Sequence, residues 1–138
     1  MKLSEFDFRI WDGKKYINNI KGGVYIHKIN DHIKCLNRNQ DCYDYEFELD
    51  ELDNSNLEIE LFTGLYDKKD KKVYENDIVK VKSLYDYFLA KISIHKEGTF
   101  YFEGKNGDYI GSLIYLVEDE GYTIETIGNI NENEGLLK

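Results

Sequence analysis

The sequence predicts a mainly β protein with a minor helical share. Three observations carry that prediction. Tyr, Phe, Ile and Val are plentiful, while Ala, Met and Gln are scarce; the first set fits pleated strands and the second favours helices. Several runs alternate apolar and charged residues with period two, the pattern of a half-buried strand. Gly, Asn and Asp punctuate those runs at short intervals, as expected of hairpin turns. The 138 residues suit one domain with two lobes, and 14% aromatic content argues against disorder.

Taken in order, residues 28–39 place Ile29, Ile33 and Leu36 at helical spacing and predict a helix. Tyr43, Tyr45, Phe47 and Leu49 share one face of an extended run, with Asp44, Glu46, Glu48 and Asp50 on the other. Leu57, Ile59 and Leu61 repeat that pattern opposite Glu58 and Glu60. Both runs read as strands with an inward apolar face and an outward acidic face, joined by a loop over 50–56. Direct pairing would set carboxylates beside one another, so they take different sheet neighbours or one is helical. The clearest strands follow: Asp77-Ile78-Val79-Lys80-Val81-Lys82, Ala90-Lys91-Ile92-Ser93-Ile94-His95, Thr99-Phe100-Tyr101-Phe102 and Thr123-Ile124-Glu125-Thr126-Ile127-Gly128. Lys96-Glu97-Gly98 and the Asn106-Gly107 dipeptide supply turns. Residues 111–118 fit a helix or a strand. Residues 62–138 therefore form a small, partly open, SH3-like barrel, and residues 1–61 an N-terminal β/α lobe or arm. Trp11, Leu65, Tyr74, Ile78 and Ile127 are expected in packing, and Thr63, Gly64, Asp77, Gly128 and Asn129 in turns and caps.

The formal charge of −9 is one local feature. Residues 41–60 hold nine acids and no base, so the rest of the chain balances. Glu46, Glu48, Asp50, Glu58 and Glu60 form a candidate interaction face. The acidic balance opposes general duplex binding. Asp67-Lys68-Lys69-Asp70-Lys71-Lys72 is the best local basic stretch and reads as a solvated hairpin turn. No apolar run approaches the ~20 residues of a membrane helix, and the first residues show no apolar signal core. A cytoplasmic protein without a membrane partner is expected.

No P-loop, dinucleotide fingerprint, HExxH or nucleophile elbow is present. His27, His32, Cys35 and Cys42 lie within 16 residues, as H-x4-H-x2-C-x6-C. That spacing lacks the C-x2-C knuckle of structural zinc sites, so surface histidines and free thiols are the plainer reading. No catalytic residue, metal site or cofactor is expected.

Three stretches together carry a family resemblance. The first is Phe8-Arg9-Ile10-Trp11-Asp12 with Lys14-Lys15-Tyr16. The second is Phe62-Thr63-Gly64-Leu65-Tyr66-Asp67, continuing through Val73-Tyr74-Glu75-Asn76-Asp77-Ile78-Val79-Lys80. The third is Ile127-Gly128-Asn129-Ile130-Asn131-Glu132-Asn133 through Leu136-Leu137. This ordered set resembles the YopX family of small phage and prophage proteins, whose motifs span nearly the whole chain as one domain. Asp70 and Asn76 stand where the family usually has Gly. Both residue types tolerate left-handed backbone, so both turns are expected to persist. Asn133-Glu134 replaces the family's Asn-Pro.

The resemblance implies a phage-encoded accessory protein with no defined reaction. The expected role is a non-enzymatic protein-interaction or assembly module, self-associating or acting on a host or phage protein. Tyrosine-rich, Pro-free strands with few edge-blunting devices motivate self-association, through the N-terminal arm. The alternative is a barrel that associates with nucleic acid, or an acidic mimic of one.

Overall fold

A computed structural model describes residues 2–17, 24–38, 49–51 and 57–137. The chain divides into two compact units, one of Met1–Phe8 with Glu60–Lys138 and one of Arg9–Ile59. The strands are β1 (Phe8–Trp11), β2 (Val24–Ile29), β3 (His32–Arg38), β4 (Leu49–Glu51), β5 (Glu58–Tyr66) and β6 (Lys72–Tyr74). They continue as β7 (Asp77–Lys82), β8 (Tyr87–Ile94), β9 (Phe100–Glu103), β10 (Tyr109–Ser112) and β11 (Thr123–Asn129). Among the described residues, helical structure comprises short turns at Leu3–Glu5, Tyr115–Asp119 (led in by residues 113–114) and Glu134–Leu137. The protein is mainly β, as its composition predicts.

The first unit is built on an antiparallel five-stranded sheet, ordered β10-β9-β8-β7-β11. Strands β7 to β10 form a meander. The chain then passes through the Tyr115–Asp119 turn, and β11 returns to pair with β7. The sheets form no closed barrel among the described residues, in keeping with the partly open one expected. Alternation decides which face is buried. Val79 and Val81 of β7 join Ala90, Ile92, Phe102 and Ile124 in the core, together with Val73 and Leu113. Each such burial stabilises by roughly 1.5–3 kcal/mol for the larger side chains. Lys80 and Lys82 fall on the opposite face.

Three hairpin turns share one construction. In each, the first residue donates its N–H to the fifth residue's carbonyl and accepts one from the fourth residue's N–H. The fourth residue is left-handed: Asp70 (φ 62°), Gly98 (φ 88°) and Gly107 (φ 81°). This is the type I turn with a following bulge that three-residue hairpin loops favour. Only Gly107 of the Asn106-Gly107 pair takes positive φ. Asn76 (φ 69°) occupies the second left-handed position that the sequence marks.

In the other unit, β2, β3 and β4 form an antiparallel sheet in that order. The predicted 28–39 helix is a hairpin. Ile29, Ile33 and Leu36 mimic helical spacing, but Asn30 turns left-handed (φ 52°) and reverses the chain after Ile29. Residues 49–51, the described end of the first acidic run, pair with β3, and the 58–66 run pairs with β6. Tyr43, Tyr45 and Phe47, and residues 52–56 of the predicted 50–56 loop, lie outside the described residues, while Asp50 and Glu51 of that loop are strand. Residues 111–118 resolve as strand to Ser112, then helical turn.

Candidate functional site

The motif residues of the larger unit gather around its turns. Asp67 is buried, at 4% exposure. Its Oδ1 accepts N–H bonds from Lys69 (2.8 Å) and Lys71 (2.9 Å), and its Oδ2 accepts one from Thr126 (3.0 Å). Burial pushes its carboxyl up, but the N–H bonds from Thr126, Lys71 and Lys69 outweigh it and hold the pKa below the ordinary aspartate value. One carboxylate thus closes the 67–71 turn and ties it to β11.

Thr63 Oγ1 donates to the Val73 carbonyl (2.7 Å) and accepts from Leu65 N–H (3.2 Å). Gly64 (φ 87°) lies in the irregular stretch where β5 and β6 shift register. Leu65 packs on the core and Ile78 is fully buried. Asp77 Oδ2 accepts Tyr74 N–H (2.8 Å), closing the turn that holds Glu75 and Asn76. The Glu75 N–H reaches the Leu61 carbonyl and the Asn76 N–H the Ile92 carbonyl. Asn129 Oδ1 accepts Glu132 N–H (2.9 Å), and its own N–H reaches Asn133 Oδ1 (3.2 Å). Gly128 leaves room for that amide; a Cβ there would sit 2.7 Å from Asn133 Oδ1.

Trp11 and Asp12 belong to the smaller unit. The Trp11 ring meets Tyr16 edge-on at 4.9 Å. Asp12 Oδ1 accepts the N–H groups of Lys15 (2.8 Å) and Lys14 (2.7 Å), which lower its pKa.

Two further expectations need correction. Glu60 is not part of an exposed acidic face: it is fully buried and accepts amide bonds from Asn76 (2.7 Å) and Asn131 (3.1 Å). It points inward with Phe62, which is also buried, so β5 presents the face opposite to the one predicted. Glu58 is exposed, Asp50 lies in β4, and Glu46 and Glu48 lie outside the described residues. Ile127 is exposed because β11 bulges between Thr126 and Gly128, which pushes the extra residue out of alternation. The His27, His32 and Cys35 set is not gathered. Strand register puts both histidines on one face of the hairpin and the buried Cys35 on the other; Cys42 lies outside the described residues.

Two surface features were not legible as such in the sequence. The first is the β10 edge. Among the described residues, strand β10 pairs only with β9 and ends the sheet. It carries no charge and no Pro, and it leaves Tyr109, Ile110, Ile114 and Tyr115 exposed along it and the following turn. The opposite edge is guarded: Lys68 N–H bonds the Ile124 carbonyl beside the Asp67–Thr126 contact. The second feature is the outer face of the sheet. There His95 stacks on Tyr101 at 4.1 Å with Tyr109 alongside, and Lys80 sits over the Tyr87 ring at 4.3 Å.

The fold and these contacts define a small, open-sheet β protein whose motif side chains secure turns beneath exposed aromatic surfaces. A family model described as YopX protein matches residues 7–138, and the chain belongs to the YopX family. The crystal structure of protein yopX from Bacillus subtilis is similar, with a TM-score of 0.65, 20% identity, and coverage of 95% of this chain and 97% of that one. Protein EF1440 from Enterococcus faecalis gives a TM-score of 0.57 at 23% identity, covering 96% and 98%. At these identities the likeness is one of fold. No curated protein matches the chain.

Proposed function

We propose that the chain is a non-enzymatic interaction and assembly module that associates with a second copy of itself through β10. On this reading it is a phage-encoded accessory protein acting in the host cytoplasm, as the family resemblance implies. The observation that carries the assembly reading is the asymmetry of the sheet edges. The β11 edge is tied down by the 67–71 turn, while β10 offers an uncharged, Pro-free edge flanked by four exposed apolar residues. Such an edge is a template for another strand. Antiparallel pairing of two β10 strands about a two-fold axis would join the sheets and cover those side chains.

Size-exclusion chromatography with light scattering tests it on the wild type and on Ile110→Lys. The wild type is expected as a dimer or larger species. The variant is expected as a monomer with unchanged circular dichroism and melting, because Ile110 is the bulged, exposed residue of the strand. A wild type that stays monomeric at its highest soluble concentration refutes the proposal.

A further inference from the structure

The formal charge of the chain is −9, yet lysines converge on one part of the outer sheet face. Strand register sets Lys80 opposite Glu125 of β11, and Lys82 between Thr123 of β11 and Tyr87 of β8. On the far side of β11, the ammonium groups of Lys68 and Lys69 reach Glu125 at 2.7 and 3.2 Å. Lys68, Lys80 and Lys82 line a shallow depression with Thr123, Ile124 and Glu125. Glu125 is thus shared by two lysines, and among the described residues no carboxylate forms an ion pair with Lys80 or Lys82. Next to them, Tyr87 is exposed on the same face, and the hairpin tip leaves Leu84 86% and Tyr85 93% exposed.

We infer that this face binds single-stranded nucleic acid, with Lys68, Lys69, Lys80 and Lys82 holding phosphates and Tyr87, one face of whose ring lies under the Lys80 ammonium at 4.3 Å, stacking its other face on a base. Charge complementarity selects a polyanion: four lysines surround one carboxylate. The aromatic ring beside the lysines selects unpaired bases, because stacking needs a base face that a duplex hides. Asp86 stands at the hairpin tip, where its carboxylate accepts Tyr87 N–H at 2.7 Å. That carboxylate opposes anionic lipid and nucleic acid alike, so vesicles and oligonucleotide are compared directly.

Fluorescence anisotropy with a labelled oligo-dT of roughly 15 nucleotides tests the inference. Binding is expected at low salt. With two to three phosphates engaged, log affinity should fall against log salt with a slope of about −1.5 to −2. Lys80→Ala with Lys82→Ala should weaken binding at least about tenfold and reduce the slope. Tyr87→Ala should weaken it about tenfold with less change in slope. Glu125→Gln should strengthen it, because two lysines lose their internal partner. Lys96→Ala, in the distant 95–99 turn, should leave it unchanged. Melting curves establish that each variant is folded. Tighter binding of duplex, no effect of Tyr87→Ala, an equal effect of Lys96→Ala, or binding to phosphatidylserine vesicles in place of the oligonucleotide overturns the inference. None of these results bears on the oligomeric state, so the assembly reading stands or falls separately.

Discussion

Replacing Asp67 by Asn tests how one carboxylate holds two elements together. Asp67 accepts three backbone N–H groups with two oxygens, at 2.8, 2.9 and 3.0 Å, and is nearly inaccessible to water. An Asn has one oxygen to offer. If that oxygen keeps the Lys69 and Lys71 donors, the amide NH2 faces the Thr126 N–H, donor against donor. A buried unsatisfied N–H costs about 1–3 kcal/mol, and the two remaining bonds lose their charge assistance. The expected loss is about 2–4 kcal/mol, or roughly 10 °C in melting temperature. Urea denaturation across pH reads it. The folded pKa of Asp67 lies below the ordinary 3.8. Its contribution is therefore full well above that value and is lost as pH falls through the depressed one. The gap between wild type and variant should shrink at the acid end, where the wild-type carboxyl also becomes neutral. A loss under about 1 kcal/mol at neutral pH, or a gap that does not narrow in acid, would refute the reasoning.

Four further substitutions, in two pairs, concern the backbone. Asn76→Val places a β-branched residue at φ 69° and removes an amide donor from buried Glu60; the expected loss by urea denaturation is about 3 kcal/mol. Asp70→Gly at φ 62° should instead gain up to about 1 kcal/mol, and equal stability of both variants would count against left-handed geometry. Gly128→Ala should cost about 1–2 kcal/mol, because its Cβ meets an Asn133 oxygen already holding the Asn129 N–H. Gly111→Ala meets the Leu116 side chain, Cδ1 at 2.8 Å and Cγ at 3.3 Å, which can swing aside, and should cost less than about 1 kcal/mol; the reverse order in thermal melts would show that the side chains yield differently.

Local chemistry was legible in the sequence wherever a turn residue or a period of two acted alone. Asp77–Lys82 is a strand with the bounds that alternation marks, and Asp70 and Asn76 adopt the left-handed geometry that their residue types allow. Legibility failed where a second constraint overrode the pattern. The Ile29, Ile33 and Leu36 spacing suits a helix, but the Asn30 turn converts it to a hairpin. Ile127 has the period of a core residue, and a bulge turns it outward. Glu60 sits in an alternating acidic run that reads as solvated. What reverses its face is a pair of amides from Asn76 and Asn131, distant in sequence and invisible to any local pattern.

The same long-range pairing changes what the net charge means. Glu60, Asp67 and Asp77 count toward −9, yet all three are buried and accept hydrogen bonds from amides or backbone N–H groups. They do not contribute an exposed acidic surface. Lys68 and Lys69 are flanked in sequence by Asp67 and Asp70, which makes the stretch look neutralised. In the fold Asp67 turns inward to β11, while the two ammonium groups reach outward to Glu125 beside Lys80 and Lys82. A composition that argues against polyanion binding by the whole molecule is therefore compatible with one basic face. That face exists because Asp67, the acid next to it in sequence, is buried and engaged in holding the turn.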